Sequence, residues 1–196
     1  MKHLLSGVVL AVLLAQPAGP GQWNSARQAQ SVSEQDLTFA EEAAKSGLSE
    51  VQLGELATKQ ADSSDVQDFG RRMVEDHGKA NEQLKSIAEE KGITLPDNLD
   101  QDQQHTIDEL SQLSGEEFDS AYMDQMVKDH ENDVVAFREQ VESGKDPGLR
   151  AFAEETLPTL EEHLNLAQQI DQELTVAPGD GRLDLAERHR NLLLRD

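Results

Sequence analysis

"RRMVEDHGKA" at 71–80 and "DQMVKDHEND" at 124–133 share the phrase Met-Val-x-Asp-His, 53 residues apart, and so spend two of the chain's six histidines in one repeated setting. Around the first, Val66, Phe69, Met73, His77, Ala80, Leu84 and Ile87 recur every three or four residues. Around the second, Phe118, Tyr122, Met126, His130, Val134, Phe137 and Val141 do the same. That spacing marks one buried face of an α-helix. Both histidines therefore belong to faces that pack inward.

Working outward, the same period covers the chain from about Glu34 to Leu174, and no alternating Val/Ile/Thr run suggests a strand. A first helix over about Glu34–Gln60 carries two adjacent stripes. One holds Leu37, Ala40, Ala44, Leu48 and Val51, and the other Phe39, Ala43, Ser46, Glu50, Leu53 and Ala57. The second helix, with His77, opens at a Ser64/Gln67 capping box and ends at Gly92; the third, with His130, opens at a Ser114/Glu117 box and stops near Gly144. The fourth starts with Asp146 as N-cap and Pro147 in its first turn, and carries Phe152, Thr156, Leu160, His163, Ala167, Ile170 and Leu174 inward. Pro158 lies inside it, which predicts a kink before His163.

Two joints are tight, near 61–63 and 144–146. The connection between the second and third helices is long and contains its own short helix over about Asp100–Leu113. A chain of that length can run along a bundle and return. The fold class is thus all-α: a four-helix bundle of two helical hairpins joined by a long crossover that contains a short helix.

The ends read differently. "MKHLLSGVVLAVLLAQPAG" has a basic start and a 12-residue apolar run, Leu4–Ala15, too short to span a bilayer of about 30 Å and suited to a secretory signal. Residues 1–18 are assigned to that signal, 19–33 to a flexible linker, 34–174 to the helical domain and 175–196 to a tail with a short amphipathic helix. The mature chain is then periplasmic or secreted, with no transmembrane span. Arginines 182, 188, 190 and 195 make the tail basic, and either the tail or the bundle offers a surface for a protein partner or a second copy of the chain.

With 17 basic against 39 acidic residues the net charge is −22, which speaks against nucleic-acid and anionic-membrane partners. Cysteine is absent, so a metal site must use histidine and carboxylate. No nucleophile triad, phosphate loop or pair of catalytic acids is recognisable, and whether the protein is an enzyme stays open.

Counted from the hairpin turns, Glu50, His77, His130 and His163 fall at comparable heights, one on each long helix. Burying one imidazole without a partner costs about 1–3 kcal/mol, so three on apolar stripes require mutual hydrogen bonds or a metal. Two readings follow. The four residues bind a transition metal (Fe, Mn, Zn or Cu), for metal handling or stress-related redox chemistry. Alternatively, they form a buried His/acid network in a non-catalytic envelope domain. Asp76 and Asp129, about 100° around their helices from the histidines, are candidate second-shell or edge ligands. Met73 and Met126 read as core filler. Glu75, Glu131 and Asp133 read as solvated surface, as do His105 and His189.

"FAEEAAKSGLSEVQLGELATKQA", "VQDFGRRMVEDH", "FDSAYMDQMVKDH" and "FAEETLPTLEEHLNLA" resemble, in order, the signature segments of a bacterial family of exported proteins built on a domain of unknown function and classed with ferritin-like bundles. The resemblance spans about residues 36–172 and implies a ferritin-like four-helix fold and an extracytoplasmic location, with no established activity. The Glu-x-x-His pattern of ferritin-like di-iron proteins is missing: Val74, Val127 and Leu160 stand three positions before the histidines.

Overall fold

Helices make up most of residues 32–176, the part of the chain that the computed structural model describes. They are α1 (Glu34–Gln60), α2 (Ser64–Lys91), α3 (Gln101–Ser111), α4 (Gly115–Ser143) and α5 (Pro147–Thr175). α1 packs along α2 and α4 along α5, which gives two hairpins. α1 also meets α4 and α2 meets α5, closing a four-helix bundle, while the crossover helix α3 lies against α1 and α4. Among the described residues there is no strand, and no helix is long and apolar enough to cross a membrane. The expected signal, most of the linker, the basic tail and His189 lie outside the described residues. Val32 and Ser33, assigned to the linker, belong to the folded part: Val32 packs on the core and Ser33 caps α1.

Some helix ends are set locally. Asp146 accepts from the Gly148 and Leu149 amides at 2.9 and 3.0 Å, with Pro147 beside it in the first turn. Gly92 ends α2 in the left-handed region at φ 69°, where a side chain is strained. Asp100 and Gln103 form a complete capping box on α3. The boxes expected at Ser64/Gln67 and Ser114/Glu117 do not form. Ser63 is the N-cap of α2 without a capping bond from its hydroxyl, and Gln67 instead donates to the Ala61 carbonyl at 2.8 Å. Ser114 likewise makes no side-chain cap at α4, which the chain enters through Gly115 at φ 63°.

Two buried aspartates tie each hairpin to the turn of the other. Asp36 of α1 accepts from Gln140 of α4 at 2.7 Å and from the Lys145 and Asp146 amides of the α4–α5 turn, each at 3.0 Å. Asp119 of α4 accepts from the Asp62 and Ser63 amides of the α1–α2 turn at 3.1 and 2.7 Å. Burial pushes the Asp36 carboxyl up, but its hydrogen bonds from Ser33, Gln140 and the two turn amides outweigh that and hold it below the usual range. Turn amides that belong to no helix are partnered in this way.

Both stripes on α1 reach the core: Ala40 and Ala44 of the first and Phe39, Glu50, Leu53 and Ala57 of the second are buried, whereas Leu37, Leu48, Val51, Ala43 and Ser46 are half-buried. α1 and α2 come close together at two glycines. A Cβ on Gly54 would lie 2.6 Å from the Gly70 carbonyl oxygen, and one on Gly70 would lie 2.8 Å from the Ala57 Cβ.

The apolar core is in two parts. One gathers Leu53, Phe69, Met73, Tyr122, Met126 and Ile170, and the other Phe39, Leu84, Val134, Phe137, Phe152 and Leu160. On every long helix the residue between the two parts is polar and buried: Glu50, His77, His130 and His163. A polar layer therefore divides the bundle at mid-height.

Candidate metal centre

Pairing the hairpins gathers three imidazoles from α2, α4 and α5, His130 meeting the other two edge-on. Ring centroids lie 5.5 Å apart for His77–His130, 5.5 Å for His77–His163 and 5.3 Å for His130–His163. Phe69 closes one side, with its ring 6.2 Å from His130 and 6.4 Å from His163. One nitrogen from each histidine lies within 4.8 Å of the other two. Such atoms share a point no more than about 2.8 Å from each, against roughly 2.0–2.1 Å for an imidazole–metal bond.

The outer hydrogen bonds set the tautomers. His163 Nε2 stands 3.0 Å from Asp76 Oδ2, and His130 Nδ1 stands 2.9 Å from the Met126 carbonyl oxygen. Ionised carboxylates and carbonyls only accept, so Nε2 of His163 and Nδ1 of His130 carry the protons. The other nitrogens, His163 Nδ1 and His130 Nε2, present lone pairs and have no protein partner, and His77 Nε2 has none either. A carboxylate or backbone carbonyl on the outer nitrogen is the usual support of a metal-bound imidazole.

Burial disfavours the charged form of all three rings. Burial, then His130 and His163, holds His77 well below its ordinary value. Burial, then His163, lowers His130 to about 4, against a partial lift from the Met126 carbonyl. Burial also lowers His163, although Asp76 pulls the other way. Neutral imidazole is the metal-binding form.

The remaining sequence-derived candidates divide. Asp76 supports the site, but through His163 across the bundle and not through its neighbour His77. Arg72 reaches the same oxygen at 3.4 Å and also pairs with Glu162. Asp129 instead takes both of its bonds from Gln125, at 2.9 and 2.8 Å. Glu50 lies in the polar layer but outside the group of three nitrogens. The charges that act on it are those of Asp129 and Asp133, and it in turn acts on Tyr122.

Asp133 is not the solvated acid its sequence position suggested. It accepts from Ser46 of α1 at 2.7 Å, and burial pushes it up to about 7. Tyr122 adds a buried hydroxyl with no protein partner, which its place in an apolar stripe concealed. The one available signal for Asp133 was its offset of three residues from His130, which keeps it on the same side of α4. Met73 and Met126 are core residues, and His105 is exposed beside Glu109 at 3.2 Å.

The profile of a family described as a domain of unknown function, DUF4142, matches residues 22–170. The chain belongs to the DUF4142 family. Two crystal structures share its fold. A DUF305 fragment from Deinococcus radiodurans superposes with a TM-score of 0.65 at 11% identity, covering 72% of this chain and 98% of that one. A DUF305 protein of Streptomyces coelicolor, provisionally described as secreted, gives 0.63 at 13% identity, covering 76% and 98%. At such identities the likeness is one of fold alone. No curated protein matches the DUF4142 chain.

Proposed function

We propose that this DUF4142 protein is an exported bundle that holds one transition-metal ion on His77, His130 and His163 and serves metal handling or stress-related redox chemistry outside the cytoplasm. The observation that carries the metal is the unbalanced set of ring nitrogens. Three buried ring nitrogens have no protein partner; His130 Nε2 and His163 Nδ1 present lone pairs, and His77 Nε2 can donate to at most one of them. A network of neutral imidazoles alone leaves a buried acceptor unpaired, and a cation satisfies all three.

The donor set narrows the metal. Three neutral imidazoles without a carboxylate suit Cu2+, Zn2+ or Fe2+ better than Mn2+, and leave a fourth position open for water or a small ligand. Export rests on the signal-like N-terminus and agrees with the provisional description of the Streptomyces coelicolor neighbour.

Metal content of the full chain, purified without an affinity tag or chelator, tests this reading. About one ion per chain is expected, with a fall in thermal stability after EDTA; no stoichiometric metal and no EDTA effect would sink it.

The bond between His163 of α5 and Asp76 of α2 favours a second reading, in which the layer only fixes helix register in a non-catalytic envelope domain. That reading requires a His77→Leu, His130→Leu double variant to be neutral or stabilising. It also requires that variant to bind as little metal as the wild type.

A further inference from the structure

Glu50 is 1% exposed, and its Oε2 has no protein hydrogen-bond partner. It lines a groove of about 260 Å3 between α1, α4 and the crossover helix α3, together with Asp129 from α4 and Asp102 from α3. Ser49, Thr106 and Gln125 add neutral oxygens from the same three helices. Asp133, bonded to Ser46 on the rim, is close enough to act on Glu50. Lys128 also lines the groove. Among the described residues, however, no lysine or arginine forms an ion pair with Glu50, Asp129 or Asp133.

We propose that Glu50 and Asp129, with neutral oxygens of α1, α3 and α4, form a second metal site, separate from the histidines, that takes a hard divalent cation of the Ca2+ type. The donor chemistry selects the class: every group facing the groove, apart from Lys128 and the side-chain amide nitrogens, offers oxygen, and none offers imidazole or sulfur. A buried carboxylate with an unpaired oxygen is costly unless protonated or matched by positive charge, and a half-open groove lets such a cation keep some of its water. Burial, then the nearby Asp129 and Asp133, raises Glu50 well above the usual carboxylate range; these are the groups a cation would relieve. The site also gives the crossover a task. α3 brings Asp102 and Thr106 to the groove, so occupancy would clamp the crossover onto the bundle.

The test is calorimetric titration of the full chain with CaCl2 at pH 7.5 and physiological ionic strength, on the wild type, Glu50→Gln, Asp129→Asn and His163→Ala. One saturable Ca2+ per chain is expected, with affinity about tenfold or more weaker in Glu50→Gln and in Asp129→Asn and unchanged in His163→Ala. Ca2+ should raise the melting temperature of the wild type and leave that of Glu50→Gln unmoved. Metal-free Glu50→Gln, which loses a buried like-charge contact, should melt no lower than the wild type, which confirms that it folds. Absence of saturable Ca2+ binding would overturn the proposal. So would equal binding by both carboxylate variants, which would place the calcium on the acidic surface at large. Loss of Ca2+ binding in His163→Ala would merge the two sites and overturn their separateness, whereas absence of transition metal with Ca2+ binding intact would count against the histidine site alone.

Discussion

His163 Nε2 and Asp76 Oδ2 meet at 3.0 Å, so the residue that orients the α5 imidazole is the sequence neighbour of the α2 imidazole. One Asp-His pair on α2 thereby contributes one imidazole to the polar layer, His77, and orients a second, His163. Asp76→Ala should weaken transition-metal affinity by about 10- to 100-fold, measured by chelator competition, while leaving the helical content of the chain intact. Asp129→Ala changes the equivalent position of the repeated phrase, which bonds Gln125 and no histidine, and should leave that affinity unchanged.

Asp36 and Asp119 hold opposite ends of the bundle and share no partner. Replacing either by alanine leaves part-buried amides of the facing turn without their protein acceptor and should cost about 1–3 kcal/mol in urea unfolding. Because the sites are far apart, the double variant should lose the sum of the two. For Asp36, whose folded carboxyl is held below its ordinary value, the stabilisation is present at neutral pH and disappears as pH falls through the folded value. The gap between wild type and Asp36→Ala should close in acid.

What the sequence made legible is what a helical period can carry. The stripes through His77, His130 and His163 place each ring inward, and the turn lengths bring them to one height, so the three-histidine group is legible in the sequence. Glu50 was readable as part of the layer but not as belonging to a different groove, because period alone does not say which neighbour a seam residue faces. Asp133 and Tyr122 escaped for the same reason: one stands at the edge of a helix face, and the other hides a hydroxyl in an apolar stripe. The capping boxes failed at α2 and α4, where the chain's entry angle and a distant aspartate decide the matter. Asp119, 56 residues from Ser63, is bonded to that turn by tertiary packing that no local motif reports.

Asp133 gives a pH signature. Its carboxyl titrates at about 7 in the bundle, against roughly 3.9 in an unfolded chain. Between those values the unfolded state releases a proton that the folded state keeps, so this residue destabilises the fold progressively as pH rises from about 4 to 7, and evenly above that. Asp133→Asn keeps an acceptor for Ser46 and removes the titration. It should match the wild type near pH 4 and exceed it by about 1–2 kcal/mol above pH 7, a discounted figure because the residue is only half-buried. Urea unfolding at a series of pH values measures it; an equal or lower stability at pH 8 would contradict the burial-driven shift.

Two glycines of α2 should respond to alanine in opposite directions. Gly70 faces α1, where a Cβ would stand 2.8 Å from both the Ala57 Cβ and the Gly54 carbonyl oxygen, so Gly70→Ala must push the helices apart. The helix gains about 1 kcal/mol of propensity from alanine, but overpacking of a close contact costs roughly 1–3 kcal/mol, and the net change is a loss. Gly78, the residue after His77, has open space where its Cβ would go. Gly78→Ala should therefore stabilise the bundle by about 0.5–1 kcal/mol, since only the propensity and unfolded-chain entropy terms act. Thermal melts of the two variants side by side separate close helix contact from propensity: a stabilised Gly70→Ala would mean that α1 and α2 do not meet as closely as their backbones indicate.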